Sequence, residues 1–422
     1  MSFFTEEKDM KKFAAFALVS VLSLSFAGRN ATAADSKAGG VEFSGNVDVV
    51  TGWQHDDGSS VDGPTGAIPG QAGGSCSFGA GGLGCNAADG AGSGSGQLGD
   101  FRGLATPNRD TFNFYIDQVE LDIQKSFGEN IRIRADLDFG RFLSGSGRNT
   151  QAGSNFNLEQ GYVTANIPMG NGMELLFGRF NAPIGLESVD RADNMAVSFS
   201  NVYRYLRPHN LTGAKLYYAF NATFDWSLYV VNNLGDVIST TVGTDSAIPS
   251  YGTRFGFTWG GEGRENTIGL SYAGGPEQFG NNAHLTHILD LDFNFHIGDK
   301  FTIGGEGIYR QDNVTSAFAG FPNSKGLGGY MLFGFAPSDT WNLYFRYGYL
   351  HDINPTGAYT GLDQQIHDFS LGAGYQITDG AKLKFEYRLD LHNYSAVAAA
   401  ALTGGDRSAL QNAISAEFAY NF

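Results

Sequence analysis

The sequence predicts an all-β fold: a transmembrane, antiparallel, up-and-down β-barrel of 16 strands, with 14 and 18 as alternative counts. Three observations predict it. From about residue 41 onward, short alternating apolar/polar segments are joined by connectors that are short and long in strict turn. The short connectors are 127–130, 168–172, 221–222, 260–263, 298–300, 337–339 and 378–380. The long ones are 54–110, 142–155, 182–212, 232–250, 275–283, 311–324, 351–363 and 392–409. Hairpins tight on one rim and generous on the other describe a barrel that crosses a bilayer. Second, the segments run to about ten residues and are rich in Phe and Tyr, longer than ordinary globular strands. Third, the sequence stops inside such a segment, with Ile414, Ala416, Phe418, Tyr420 and Phe422 on one face.

Residues 1–33 read as a cleaved export signal. Lys8, Lys11 and Lys12 precede an apolar stretch at 13–27, and Ala31-Thr32-Ala33 supplies a small-residue cleavage site. An uncleaved anchor is the alternative, although the stretch is shorter than the ~20 residues a spanning helix needs. Residues 34–422 then form the barrel. Connector 54–110 is dominated by Gly, Ser and Ala, a composition that cannot bury a core. It carries the two cysteines, Cys76 and Cys85. In an exported chain these are expected to form a local disulfide, with a free dithiol as the alternative.

The strands are expected near 41–53, 111–126, 130–141, 156–167, 173–181, 213–220, 223–231, 251–259, 264–274, 284–297, 301–310, 325–336, 340–350, 364–377, 381–391 and 410–422. Alternation is clearest where Ile131, Ile133, Ala135, Leu137 and Phe139 oppose Arg132, Arg134, Asp136 and Asp138. A soluble sandwich would alternate too, but the export signal and the aromatic lipid-length segments favour closure in a membrane. A charge facing lipid at mid-depth costs roughly 2–4 kcal/mol, so the polar face must line the lumen. That assigns Arg132, Arg134, Asp136, Asp138, Arg346, Lys382, Lys384 and Arg388 to the pore lining. Asp122 is expected to lie opposite Arg134. Phe127, Trp226, Trp259, Phe301, Trp341, Tyr420 and Phe422 fall at the rim of short turns and are expected to form an aromatic girdle.

Connector 182–212 carries too many apolar residues for a solvated tip: Ile184, Leu186, Val189, Met195, Val197 and Phe199. Folding into the lumen would bury them and bring Glu187, Asp190, Arg191, Asp193, Arg204 and Arg207 to a pore constriction. Packing on the outer rim or against another subunit is the alternative.

The net charge of −16 argues against nucleic acid as a partner. No G-x-S-x-G, H-E-x-x-H or C-x-x-C-H motif occurs, and His284 and His287 are three apart on a strand, so they face opposite ways. No catalytic residue, metal or cofactor is therefore expected. A cylinder of 16 strands is wide enough for an aqueous channel, and acidic outer connectors would concentrate cations at its mouth. The expectation is an outer-membrane pore for small hydrophilic solutes, mildly cation-preferring, surrounded by outer-membrane lipid, with a homotrimer as a candidate assembly. A barrel scaffold plugged by a partner protein and a substrate-specific channel are the competing expectations.

Residues 176–187, Leu-Phe-Gly-Arg-Phe-Asn-Ala-Pro-Ile-Gly-Leu-Glu, are followed by Asn194 and by Pro208-His209-Asn210-Leu211-Thr212-Gly213. This pattern resembles the signature of the putative β-barrel porin-2 family, the OmpL-like porins. The wider phosphate-selective porin group has a similar stretch. The resemblance implies passive diffusion of small hydrophilic solutes, but phosphate is not carried over, because no lysine-rich inward segment accompanies it. The aromatic strand ending at Phe422 resembles the signal by which bacterial barrel proteins reach their assembly machinery.

Overall fold

Sixteen antiparallel strands close into one barrel, each paired with its neighbours in sequence and β1 with β16. The structure, a computed structural model, describes residues 40–56, 111–139, 156–234, 248–261, 263–277, 285–313, 324–353, 364–395 and 408–422. The export signal, Cys76, Cys85 and His284 lie outside the described residues. The strands are β1 (Val41–Asp56), β2 (Thr111–Phe127), β3 (Ile131–Phe139), β4 (Phe156–Ile167), β5 (Met173–Asn181), β6 (Asn210–Ala219), β7 (Phe224–Val231) and β8 (Ser250–Gly261). They continue as β9 (Arg264–Pro276), β10 (Leu285–Ile297), β11 (Phe301–Asp312), β12 (Ser324–Ser338), β13 (Trp341–Ile353), β14 (Gln364–Gln376), β15 (Ala381–Tyr394) and β16 (Ser408–Asn421). The count and order match the expectation from the sequence.

The period of two places apolar residues outside and polar ones inside. Phe112, Phe114, Leu289, Leu371 and Ile414 are each more than half exposed on the outer wall, whereas Asp48, Asp290, Asp292, Arg346 and Glu417 are fully buried within. At the tight-turn rim Phe127, Trp259, Phe301, Trp341, Tyr420 and Phe422 are exposed, as the expected girdle requires. Trp226 is partly buried there, and its indole N–H donates to Thr253 Oγ1 at 2.8 Å. The seam between β1 and β16 is sealed beyond the strands: Gly45 N–H donates to Phe422 O at 3.1 Å, and Phe422 N–H to Gly45 O at 3.0 Å.

Three register shifts interrupt the ladders among the described strands; one lies between Phe335 and Ser338 of β12, and each of the other two re-aims a carboxylate. Asp48 lies opposite Gln118 and Val49 opposite Ile116, which leaves Asp117 as the extra residue of β2. Asp136 lies opposite Gln160 and Leu137 opposite Leu158, which leaves Glu159 as the extra residue of β4. Both extra side chains are 0% exposed.

One expectation is corrected. Asp122 faces Asp136 across β2–β3, and Arg134 faces Gln124. The tight turn after Phe127 sets this register by pairing Phe127 with Ile131. Arg134 still reaches Asp122, but diagonally, at 3.4 Å.

Candidate functional site

The segment between β5 and β6, residues 182–209, lies inside the barrel. Its neck closes where Ala182 N–H donates to His209 O at 2.6 Å. Burial explains its position. Ile184, Leu186, Val189, Val197, Phe199 and Leu206 are each at most 4% exposed, and Ile184, Leu186 and Leu206 pack in one cluster with Tyr330, Leu332 and Ile366 of the wall. Each such side chain contributes roughly 1.5–3 kcal/mol relative to exposure, enough to draw a solvated loop inward.

Glycines shape the entry. Gly178 has φ +139°, and a Cβ there would collide with Gly161 O on β4. Gly185 has φ +79°, and a Cβ would meet Arg207 and Glu306 at 2.6 Å. The bend at Gly185 aims two backbone donors at the wall: Gly185 N–H to Asp290 Oδ1 at 3.1 Å and Leu186 N–H to Glu306 Oε2 at 2.9 Å. Beyond it, Asn194 Oδ1 accepts from Ser188 N–H at 2.9 Å, which wraps residues 188–194 around a short 3-10 turn, Arg191–Asp193. Ser200 then caps the short helix α1 (Asn201–Tyr205), its Oγ accepting from Tyr203 N–H at 3.2 Å.

Cations of the wall and loop hold this shape. Arg346 donates to Glu187 Oε1 at 2.9 Å and to Ser198 O at 2.6 Å. Arg388 donates to Phe199 O at 2.6 Å, and Lys384 Nζ to Arg191 O at 3.0 Å. Lys384 also pairs with Glu417 at 2.7 Å. Arg191 turns outward to Asp117 Oδ2 at 2.6 Å, and Arg207 pairs with Glu306 at 3.6 Å. Opposite these anchors, Val197 and Ser198 N–H groups donate to Glu386, and Asn201 Nδ2 to Asp368 Oδ2 at 3.0 Å.

The residues selected from sequence thus separate into two sets. Arg191, Arg207, Arg346, Lys384 and Arg388 are at most 6% exposed and anchor the loop. Asp190, Asp193, Arg204 and Lys382 keep partial exposure, while Glu187 is buried beneath Arg346 and Ser200. On the β3 wall Arg132 pairs with Glu174 at 3.5 Å, and Arg134 with Asp136 at 2.7 Å. Asp138 accepts from Gln118 Nε2 at 2.9 Å. Sequence reading missed Asp48, Asp117, Gln118, Glu159 and Asp368. Asp48 and Asp368 were in phase with their strands and could have been read; Asp117 and Glu159 sit on bulges that no period reveals.

Electrostatics at the loop are set by burial and carboxylate crowding. Burial first, then the charges of Glu159, Asp193 and Asp122, hold the Asp190 carboxyl well above the usual range, against a lowering hydrogen bond from Gln118. For Arg207, burial pulls the pKa down, but Glu306, Tyr203 and Glu187 outweigh it and the net shift is upward.

A closed 16-stranded barrel with a segment folded into its lumen defines a porin-like outer-membrane channel. The chain belongs to the family described as "Putative beta-barrel porin-2, OmpL-like", which matches residues 91–422. Its fold is similar to the outer membrane channel DcaP of Acinetobacter baumannii, at TM-score 0.58 and 11% identity, covering 90% of this chain and 97% of the other. It is also similar to the anion-selective porin from Comamonas acidovorans, at TM-score 0.53 and 11% identity, covering 90% and 99%. A third similar fold is OmpT of Vibrio cholerae in its trimer form, at TM-score 0.53 and 11% identity, covering 92% and 100%. No curated protein sequence matches the chain.

Proposed function

We propose that this barrel lets small hydrophilic solutes and ions diffuse passively across the outer membrane, with a mild preference for cations. The family and the fold point to a channel rather than a catalyst. One observation carries the cation preference. Arg191 and Arg207 of the inner loop are locked in buried ion pairs, while the chain as a whole carries a net charge of −16. The charge a passing ion meets is therefore weighted to carboxylates, which attract cations. This is the opposite sign from the name of the Comamonas acidovorans neighbour.

The dense contact of the loop with the wall also favours a second reading, a channel restricted to one class of solute. A homotrimer is the proposed assembly, because the Vibrio cholerae fold neighbour is described as a trimer. The test is purified protein in planar bilayers under a KCl gradient. Stepwise conductance with a cation-selective reversal potential is expected, and Asp193→Asn should move that potential toward zero. Silence in every salt would remove the channel reading; an anion-selective potential would remove the cation preference alone.

A further inference from the structure

Three carboxylates meet on the β2–β4 wall. Glu120, Asp138 and Glu159 each place one oxygen within 4.8 Å of the other two, and they are 4%, 0% and 0% exposed. Oxygens bound to one calcium ion at about 2.3–2.6 Å can stand no more than about 5 Å apart, twice the bond length. The spacing is that of ligands sharing one cation. The bulge at Glu159 turns into the lumen a carboxylate that regular alternation would place elsewhere.

A separate observation points to a ligand. Gln118 is 0% exposed and Asn46 5%, and among the described residues neither side-chain oxygen has a hydrogen-bond partner. Both amides are fixed against the cluster by their nitrogens. Gln118 Nε2 donates to Asp138 Oδ1 at 2.9 Å and to Asp190 Oδ1 at 3.1 Å, and Asn46 Nδ2 donates to Glu120 Oε2. A buried acceptor left unmade costs roughly 1–3 kcal/mol. Rotating either amide would set its oxygen against a carboxylate, so no flip relieves it. A hard cation is the partner that carboxylate and amide oxygens have in common.

We propose that Glu120, Asp138 and Glu159, with the amide oxygens of Gln118 and Asn46, bind a calcium ion. The donor set is all oxygen, which excludes the thiolate and imidazole chemistry of zinc. It comes from four adjacent strands, β1 to β4, whose give suits the variable coordination of calcium better than the strict octahedron of magnesium. Through Gln118 the site is tied to Asp190, so the ion fastens one limb of the inner loop to the wall. It also cancels negative charge beside the passage. The site stands independently of which solute passes.

The test is calcium binding to the full-length folded protein in detergent, stripped with EDTA and desalted, followed by isothermal titration calorimetry with CaCl₂. One ion per chain is expected, with a Kd below about 1 mM. Glu120→Gln and Glu159→Gln should each weaken binding at least about tenfold. Asp299→Asn, in an exposed turn paired with Arg264, should leave it unchanged. Absence of binding to the unaltered protein up to about 10 mM would overturn the proposal whatever the variants do. Binding that both cluster variants retain in full would overturn it equally. Conductance measured in EDTA reports on the channel separately, so a failure of either reading is recognised as such.

Discussion

Arg346 of β13 and Glu187 of the inner loop meet at 2.9 Å across 159 residues of sequence. Both are buried, so the pair is shielded from solvent screening, and removing one partner leaves the other charge stranded. Such a loss typically costs about 3–5 kcal/mol. Arg346→Met is expected to loosen the loop while the barrel still closes, because the barrel is held by its ladder. Single-channel recordings should show larger and noisier conductance. The double variant Arg346→Met/Glu187→Leu should be quieter than Arg346→Met alone.

Gly178 makes a different prediction. Its φ of +139° and the closeness of Gly161 O leave no room for a side chain within the β4–β5 ladder. Gly178→Ala should cost roughly 1–3 kcal/mol from backbone strain alone, before the clash is counted. The fraction migrating as folded barrel on unboiled denaturing gels should fall.

Gly185→Ala separates loop from barrel. The added methyl would press on Glu306 and Arg207, which belong to the loop anchorage rather than to the sheet ladder. Folding yield should stay near that of the parent, and the conductance should change.

Glu277 gives a pH dependence. Its carboxyl accepts from Leu234 N–H at 2.9 Å and from Ser250 Oγ, and so ties together the segments after β7 and after β9. Burial pushes its pKa up to about 7, against lowering contributions from Ser250, Leu234 and Arg310. A raised carboxyl pKa means the folded state holds a proton that the unfolded chain has lost. The associated stability is complete below the ordinary value of 4.5 and is lost as pH rises through about 7. Amide exchange at Leu234, corrected for its intrinsic rate, should therefore be slower at pH 5 than at pH 8. Glu277→Gln should flatten that dependence.

The strand pattern was legible because lipid outside and polar groups inside impose one rule on every second residue. Ile131 to Phe139 and Leu383 to Leu391 display it without interruption. The inner loop was legible in part: Ile184, Leu186 and Phe199 are too apolar for a solvated tip, but packing on the outer rim or against another subunit would have buried them as well. What could not be read was who meets whom. Arg346, Lys384 and Arg388 carry the same alternation whether they face water or a folded segment, and only the tertiary position of residues 187–199 makes them anchors. The bulges at Asp117 and Glu159 shift phase by one residue, so the side chains most specific to the β2–β4 wall left no periodic trace. Register was equally opaque: Asp136 rather than Arg134 faces Asp122 because of how the turn after Phe127 closes.

The seam has a consequence for biosynthesis. β16 is the partner of both β15 and β1, so any product lacking it is left with two raw edges whose amides have no counterpart in hydrocarbon. Insertion is therefore expected to require β16, and a truncated polypeptide should not become a leaky half-ring that dissipates gradients. It should instead stay on the periplasmic side, where proteases clear it.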